Sequence, residues 1–240
     1  MPTYNDYGIV LKSYNLSEAD KILNIYTREN GLVRAVCKGA KKLTSKLGRK
    51  IDQLTASCFL FAKGKNLDTI CEIQEVNSFQ KLRKDLNKLS FGILFVEIVS
   101  NFAHEGESES SYVYDLLYSS LDSLQSSTDL ELTTIKFILD FLHIHGFKPQ
   151  LETCVSCSNK IFTGRDEDFP YSVTLGGLLC ERCLYLEHKL VSPDVFKILA
   201  GMGLPRQAHT IHMALDILKE HINARAKNKV NTFDLVASLL

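Results

Sequence analysis

No apolar run in this 240-residue sequence is long enough to cross a bilayer. The longest, Phe91-Gly92-Ile93-Leu94-Phe95-Val96, meets Glu97 well short of the ~20 residues a spanning helix needs. The opening Met1-Pro2-Thr3-Tyr4-Asn5-Asp6 has neither the basic nor the apolar region of a secretory signal, so no export and no membrane partner are expected. Seven cysteines, an odd number, fit a reducing cytoplasm better than a disulfide scaffold. Net charge is missing as well, with 28 Lys and Arg balancing 28 Asp and Glu.

Catalytic patterns are also absent. There is no G-x-x-x-x-G-K-[ST], and Gly201-Met202-Gly203 stops short of a dinucleotide fingerprint. No G-x-S-x-G elbow occurs. His104-Glu105-Gly106 lacks the second histidine of H-E-x-x-H, and no His-x-Glu precedes a C-x-x-C as zinc deaminases require. His143 and His145 read as helix-end residues beside the negative end of the dipole. These absences point one way, to a binding protein and not an enzyme.

What is present begins with charge distribution. Residues 1–80 hold 12 Lys/Arg against 8 Asp/Glu, whereas residues 81–146 hold 5 against 10. From Arg34 to Lys65 there are nine basic residues and one acid, Asp52, so zero net charge hides a basic patch on an acidic body. Period-two alternation gives strands at Tyr7–Tyr14, Ile22–Thr27, Leu32–Cys37, Thr55–Ala62 and Leu67–Val76, with Glu29-Asn30-Gly31 as a hairpin turn. A basic, non-strand insertion from Gly39 to Asp52 between the third and fourth strands gives the plan of an OB-type barrel. Tyr14 and Tyr26 lie on these strands and either stack on bases or pack in the core. Cys37, Cys58 and Cys71 read as small core residues.

After Phe79 the period becomes 3.6. Leu86, Leu89, Ile93 and Val96, with Leu94, Ile98 and Phe102, predict a long helix that is apolar on most sides and hence central. A polar break at His104–Ser108 precedes a second helix through Tyr112–Leu124. Thr128-Asp129-Leu130-Glu131 has the form of a capping box opening a third, which stops at His145-Gly146 before Pro149. Ser192-Pro193-Asp194 opens another helix, His209–Ala224 a long one, and Thr232–Leu240 a short last one. The fold class is α+β: barrel at 1–80, helical domain at 81–240, and a cysteine ribbon at about 150–187.

That ribbon carries Cys154-Val155-Ser156-Cys157 and Cys180-Glu181-Arg182-Cys183, two C-x-x-C pairs 22 residues apart. Each pair brings two thiolates to one ion and two pairs complete a tetrahedron, so one structural Zn²⁺ on Cys154, Cys157, Cys180 and Cys183 is expected. Gly164-Arg165-Asp166 and Gly176-Gly177 read as turns flanking the short strand Tyr171-Ser172-Val173. Disulfides would need an oxidising compartment, and paired C-x-x-C motifs around a turn-rich insert argue for metal over redox chemistry.

Together with the order of parts, three local matches are telling: Val36-Cys37-Lys38-Gly39-Ala40-Lys41-Lys42 with Ser45, Leu47 and Leu54 beyond, the opening Tyr4…Gly8-Ile9-Val10-Leu11, and Ser17-Glu18-Ala19-Asp20. In these the sequence resembles the bacterial DNA repair and recombination family RecO over essentially its whole length. Asp52-Gln53-Leu54-Thr55 departs from the family pattern and leaves the register of the next strand open. The resemblance implies a non-enzymatic, nucleoid-associated mediator. Such a protein binds single- and double-stranded DNA, anneals strands, and with RecR helps load RecA on DNA coated by single-strand binding protein (SSB). It implies phosphate contacts from Lys38, Lys41, Lys42, Lys46, Arg49 and Lys50, extended by Lys12, Arg34, Lys63 and Lys65. It also implies a helical-domain site for the acidic, apolar C-terminal tail of SSB, with Arg206 and Lys197 as candidates. The alternative is a zinc-ribbon OB protein acting on RNA or in transcription. A zinc-dependent nucleic-acid enzyme would need an open metal position that four cysteines do not leave.

Overall fold

The computed structural model describes residues 2–42, 45, 47–162, 167–202 and 207–239, the side chain of Arg49 excepted. Lys46, Arg206, Gly203 and the expected turn at Gly164-Arg165-Asp166 lie outside the described residues. The chain forms two compact units, Met1–Thr128 with Asn231–Leu240 (unit 1) and Asp129–Val230 (unit 2).

Unit 1 opens with β1 (Thr3–Asn15), β2 (Lys21–Thr27), β3 (Gly31–Cys37), β4 (Ala56–Ala62) and β5 (Asp68–Asn77), closed into a barrel in the order β1-β2-β3-β5-β4. All pairs are antiparallel except β3 with β5. This is the OB-type barrel expected from the alternation. One strand must serve two neighbours to close it: β1 pairs with β2 through Gly8–Asn15 and with β4 through Thr3–Ile9. Gly8 stands at the changeover, where a Cβ would come within 2.5 Å of the Ile25 side chain. A bulge between Val10 and Lys12 then re-aims the strand, leaving Val10 inside and Lys12 exposed.

The inward set Val10, Leu23, Ile25, Val33, Ala35, Cys37, Phe59, Phe61, Ile70 and Ile73 fills the barrel. The β2–β3 hairpin turns at Gly31, whose φ of 63° is left-handed. The buried Asp6 carboxylate secures that turn by accepting from the Glu29 N–H and from Asn30 Nδ2 at 2.7 Å. Two of the cysteines expected in the core are not buried. Only Cys37 is; Cys58 is half-buried and Cys71 exposed, because the β5 bulge opposite Leu60/Phe61 turns Cys71 outward while Ile70 and Ile73 point in.

Helices α1 (Gln80–Arg83), α2 (Leu86–Phe102) and α3 (Ser110–Ser126) complete the first part of unit 1. Asp85 caps α2 by accepting from the Asn87 and Lys88 N–H groups. As its apolar circumference predicts, α2 buries Phe91, Leu94, Phe95, Val96, Ile98, Val99 and Phe102.

Unit 2 begins with α4 (Leu130–Ile144). Its cap is Asp129, which accepts from the Leu132 N–H at 3.0 Å, not the Thr128–Glu131 box expected. Glu131 is engaged elsewhere, its Oε1 lying 2.7 Å from His212 Nε2, so it cannot close the box. The helix ends at Gly146 (φ 73°) with the Phe147 N–H returning to the Leu142 carbonyl. The ribbon follows as a three-stranded sheet, β7-β6-β8, from β6 (Phe169–Ser172), β7 (Gly177–Leu178) and β8 (Lys189–Val191). Then come α5 (Pro193–Leu199), capped by Ser192, and α6 (Ala208–Asn223). Buried His221 on α6 meets the Tyr171 hydroxyl at Nδ1 (2.7 Å) and the Phe147 carbonyl at Nε2 (2.8 Å). Burial first and Arg225 second push its imidazole down to about 4. Since Nε2 must donate to the carbonyl, Nδ1 accepts from Tyr171, and a neutral histidine satisfies both partners. The chain returns to unit 1 in α7 (Thr232–Ala237), where Glu97 on α2 accepts from the Asn231 and Thr232 N–H groups.

Candidate metal centre and nucleic-acid interface

The four ribbon cysteines converge. The Sγ atoms of Cys154, Cys157, Cys180 and Cys183 all lie within 4.8 Å of one another. The first pair sits on a tight turn closed by Cys154 N–H to Asn159 O and Ser158 N–H to Cys154 O, both 2.8 Å, with Ser158 in the left-handed region at φ 60°. The second sits on a 3₁₀ turn, Glu181–Cys183, with Cys183 N–H donating to Cys180 O. The Val155 N–H donates to Leu178 O, pinning the first turn to β7. Asn159 Nδ2 donates to Cys157 Sγ at 3.1 Å.

The donor chemistry fits a soft cation. Burial raises the Cys154 thiol, but N–H donors from Cys180, Cys157 and Ser156 outweigh it and hold the group at about 6. Cys183 goes the other way, pushed up to about 12 by burial and by the thiols of Cys157, Cys180 and Cys154, against a hydrogen bond from Ser156. Four negative sulfurs at these separations repel, so ionising the whole quartet requires a positive ion among them. These residues could therefore hold a metal ion.

The expected basic surface is distributed over separate places. Register shows why. Lys12 pairs with Asn24 and Asn24 with Arg34, so the three form one row across β1, β2 and β3 on the outer face. Tyr14, Ile22 and Val36 form the next row. Tyr14 is 44% exposed, with Lys12 Nζ 5.3 Å from its ring centre. The insertion joins this face at its rim: the Lys41 N–H donates to Ala19 O, Lys41 Nζ to Ser17 O at 3.2 Å, and Gly39 N–H to Asp20 Oδ1. Lys38, Lys41 and Lys42 are exposed.

Other candidates behave differently. Lys50 is half-buried, its Nζ donating to the Ile73 carbonyl of β5. Lys63 and Lys65 are exposed and, with Tyr4, Asn30, Arg34 and Glu105, line a hollow of about 640 Å³. Arg34 is paired with Glu105 at 3.0 Å. Tyr26 cannot stack on a base: it faces outward by parity with Asn24, yet is 0% exposed. The segment after α2 covers it, and its hydroxyl donates to Glu107 Oε2 at 2.8 Å. Burial, Glu107 and Glu109 raise that phenol far above its ordinary value. Asn24 and Ile22 belong to no motif in the sequence, although the alternation that buries Leu23 and Ile25 already places them outside.

In unit 2 a hollow of about 490 Å³ runs between α4 and α5, lined by Leu132, Ile135, Leu139 and Ile198, with Lys136 and Lys148 exposed at it and Asp140 opposing them. Lys197 is not among these cations; it pairs with Asp194 on its own helix at 2.9 Å.

Comparison with known proteins gives concordant matches. The family models described as Recombination protein O N terminal and Recombination protein O C terminal match residues 1–79 and 83–202. The chain is similar to the DNA repair protein RecO of Halalkalibacterium halodurans, 30% identical over 82% of this chain and 73% of that protein. It is similar to that of Rubrobacter xylanophilus, 29% identical over 89% and 84%. The DNA repair protein RecO of Alkaliphilus metalliredigens is 31% identical over 94% and 85%.

Proposed function

This chain belongs to the RecO family of DNA repair and recombination proteins, and from that premise we propose that it is a non-enzymatic recombination mediator whose barrel binds DNA. It takes single- and double-stranded DNA along the outer face of β1–β3, anneals complementary strands and, with RecR, helps RecA onto SSB-coated strands. The observation that carries this reading is the outer face itself: an exposed aromatic, Tyr14, in the row next to that of Lys12, Asn24 and Arg34, rimmed by exposed Lys38, Lys41 and Lys42. Stacking on an aromatic and phosphate neutralisation by lysines together give affinity with little sequence readout, which suits a protein that acts on any broken strand. The test is anisotropy of labelled single-stranded DNA across a salt series, with strand annealing measured alongside and RNA as competitor. Binding that is insensitive to salt, or RNA outcompeting DNA, would remove the reading.

The ribbon holds one Zn²⁺ through Cys154, Cys157, Cys180 and Cys183. Four thiolates fill its tetrahedron, so the ion supplies folding energy and no open position for chemistry. Its residues staple unit 2.

The α4–α5 hollow takes the tail of SSB. An acidic, apolar chain end matches apolar walls with two exposed lysines at hand. Lys136→Glu with Lys148→Glu is expected to weaken an SSB-tail peptide about tenfold or more, each reversal adding repulsion to a lost attraction. Calorimetric titration of the peptide reads this; unchanged affinity would place the tail elsewhere.

A further inference from the structure

The acidic stretch between α2 and α3 does more than connect helices. It adds to the β2–β3 hairpin as an extra strand-like edge: Leu32 N–H donates to His104 O at 2.8 Å, Gly106 N–H to Asn30 O at 3.0 Å, and Gly31 bridges Glu105 in antiparallel register. Two of its carboxylates then reach onto the outer barrel face. Glu107 takes the Tyr26 hydroxyl, and Glu105 Oε1 accepts from Arg34 Nε at 3.3 Å and Nη2 at 3.0 Å. Arg34 belongs to the row it shares with Asn24 and Lys12, the row offered above for nucleic acid.

We propose that Glu105 is a built-in competitor for a nucleic-acid phosphate: it pairs with the Arg34 guanidinium on the barrel face and must be displaced for a phosphate to bind there, thereby weakening binding and limiting its salt dependence. The inference rests on the reading of the β1–β3 face as the DNA surface. Carboxylate and phosphate make the same kind of charge-assisted contact to a guanidinium, so one can replace the other at Arg34. Both partners of the pair are open to water, their side chains 53% and 65% exposed, so exchange requires no unpacking. When a phosphate displaces Glu105, the DNA sheds a condensed cation while the freed carboxylate attracts one. Net counterion release at this contact is therefore small. Removing the carboxylate leaves the release uncompensated.

The experiment is anisotropy of a fluorescein-labelled oligothymidylate of about 25 nucleotides between ~50 and ~300 mM salt, on the full chain. Glu105→Gln keeps the backbone bridge and the side-chain size. It is expected to tighten binding about three- to fivefold at the lowest salt, the scale of losing one exposed competing ion pair. The log–log salt slope should steepen by about 0.7, the increment for one phosphate on a single strand. In an Arg34→Gln background the same change should do nothing. An unchanged slope in Glu105→Gln would overturn the proposal. So would an equal gain in the Arg34→Gln background, or from Glu72→Gln on the exposed surface of β5, since either would reveal a general field effect. Wild-type binding with no salt dependence would overturn the barrel reading itself and the proposal with it.

Discussion

Cys154→Ser is expected to abolish stoichiometric metal binding and to lower the melting temperature of unit 2 by more than ~10 °C. Immediately around the cysteines little apolar surface is buried, although β6 itself is anchored through Phe169 and Tyr171. Around the cysteines the buried cluster is Cys154, Leu179 and Cys183, with Val155, Ile161, Cys180 and Leu186 only partly covered. The ribbon's strands, at four, two and three residues, supply few ladder hydrogen bonds. A structural zinc contributes about 10–16 kcal/mol in isolated fingers. Even a loss of about 2–3 kcal/mol corresponds to ~10–20 °C for a unit of about 100 residues. Cys154 is the ligand to remove because it is 1% exposed, and a serine there leaves a hydroxyl that neither binds zinc well nor reaches water. Released zinc measured by a colorimetric chelator should read a single ion per chain in wild type and none in the variant. A calorimetric scan should show the lower transition moved. Single-stranded DNA affinity below that transition should stay near wild type, because the proposed face lies wholly in unit 1. A variant that keeps its metal and melts within ~2 °C of wild type would show that the quartet is not the staple.

What could be read from the sequence was local, and what could not was set by contacts distant along the chain. The cysteine quartet was legible because ligand spacing within each C-x-x-C is fixed by a single turn. Strands β2 and β3 were legible because alternation at Leu23, Ile25, Val33 and Ala35 is itself the statement of which side faces the barrel interior. Tyr26 was not, because parity places it outside, and only the docking of Glu107, 81 positions away, covers it. Arg34 reads in the sequence as one more residue of the basic patch, and its pairing with Glu105, 71 positions on, has no local signal. The α4 cap shifted by one residue for the same reason, Glu131 being drawn to His212 on α6. The packing of α7 against α2 through Glu97 leaves no trace in periodicity at all. Lys50 shows the limit for charge runs: it belongs to the basic run in sequence, but its ammonium donates to the Ile73 carbonyl.

Reversing Lys38, Lys41 and Lys42 together to glutamate should weaken single-stranded DNA binding by about 10²-fold or more at ~50 mM salt, and flatten the log–log salt slope by about 2. The slope follows from counting: each lysine that neutralises a phosphate releases a counterion worth about 0.7 on a single strand. The affinity loss exceeds what neutralisation alone removes because a carboxylate beside a phosphate repels it. The corresponding glutamine variant should therefore share the flattened slope while losing less affinity, which separates lost contacts from added repulsion. All three side chains are exposed, and among the described residues Lys41 alone of the three donates a side-chain hydrogen bond that the fold could miss, to Ser17 O. Folding is thus expected to survive, as circular dichroism can verify. Reversing Lys81 and Lys84, exposed on and just after α1, serves as the control for overall charge and should change affinity by less than about threefold. If the control loses as much as the triple variant, the effect is the field of the whole molecule and not a site. If the slope stays at its wild-type value in the triple variant, these three lysines meet no phosphate, and Lys12, Lys63 and Lys65 are the next to reverse.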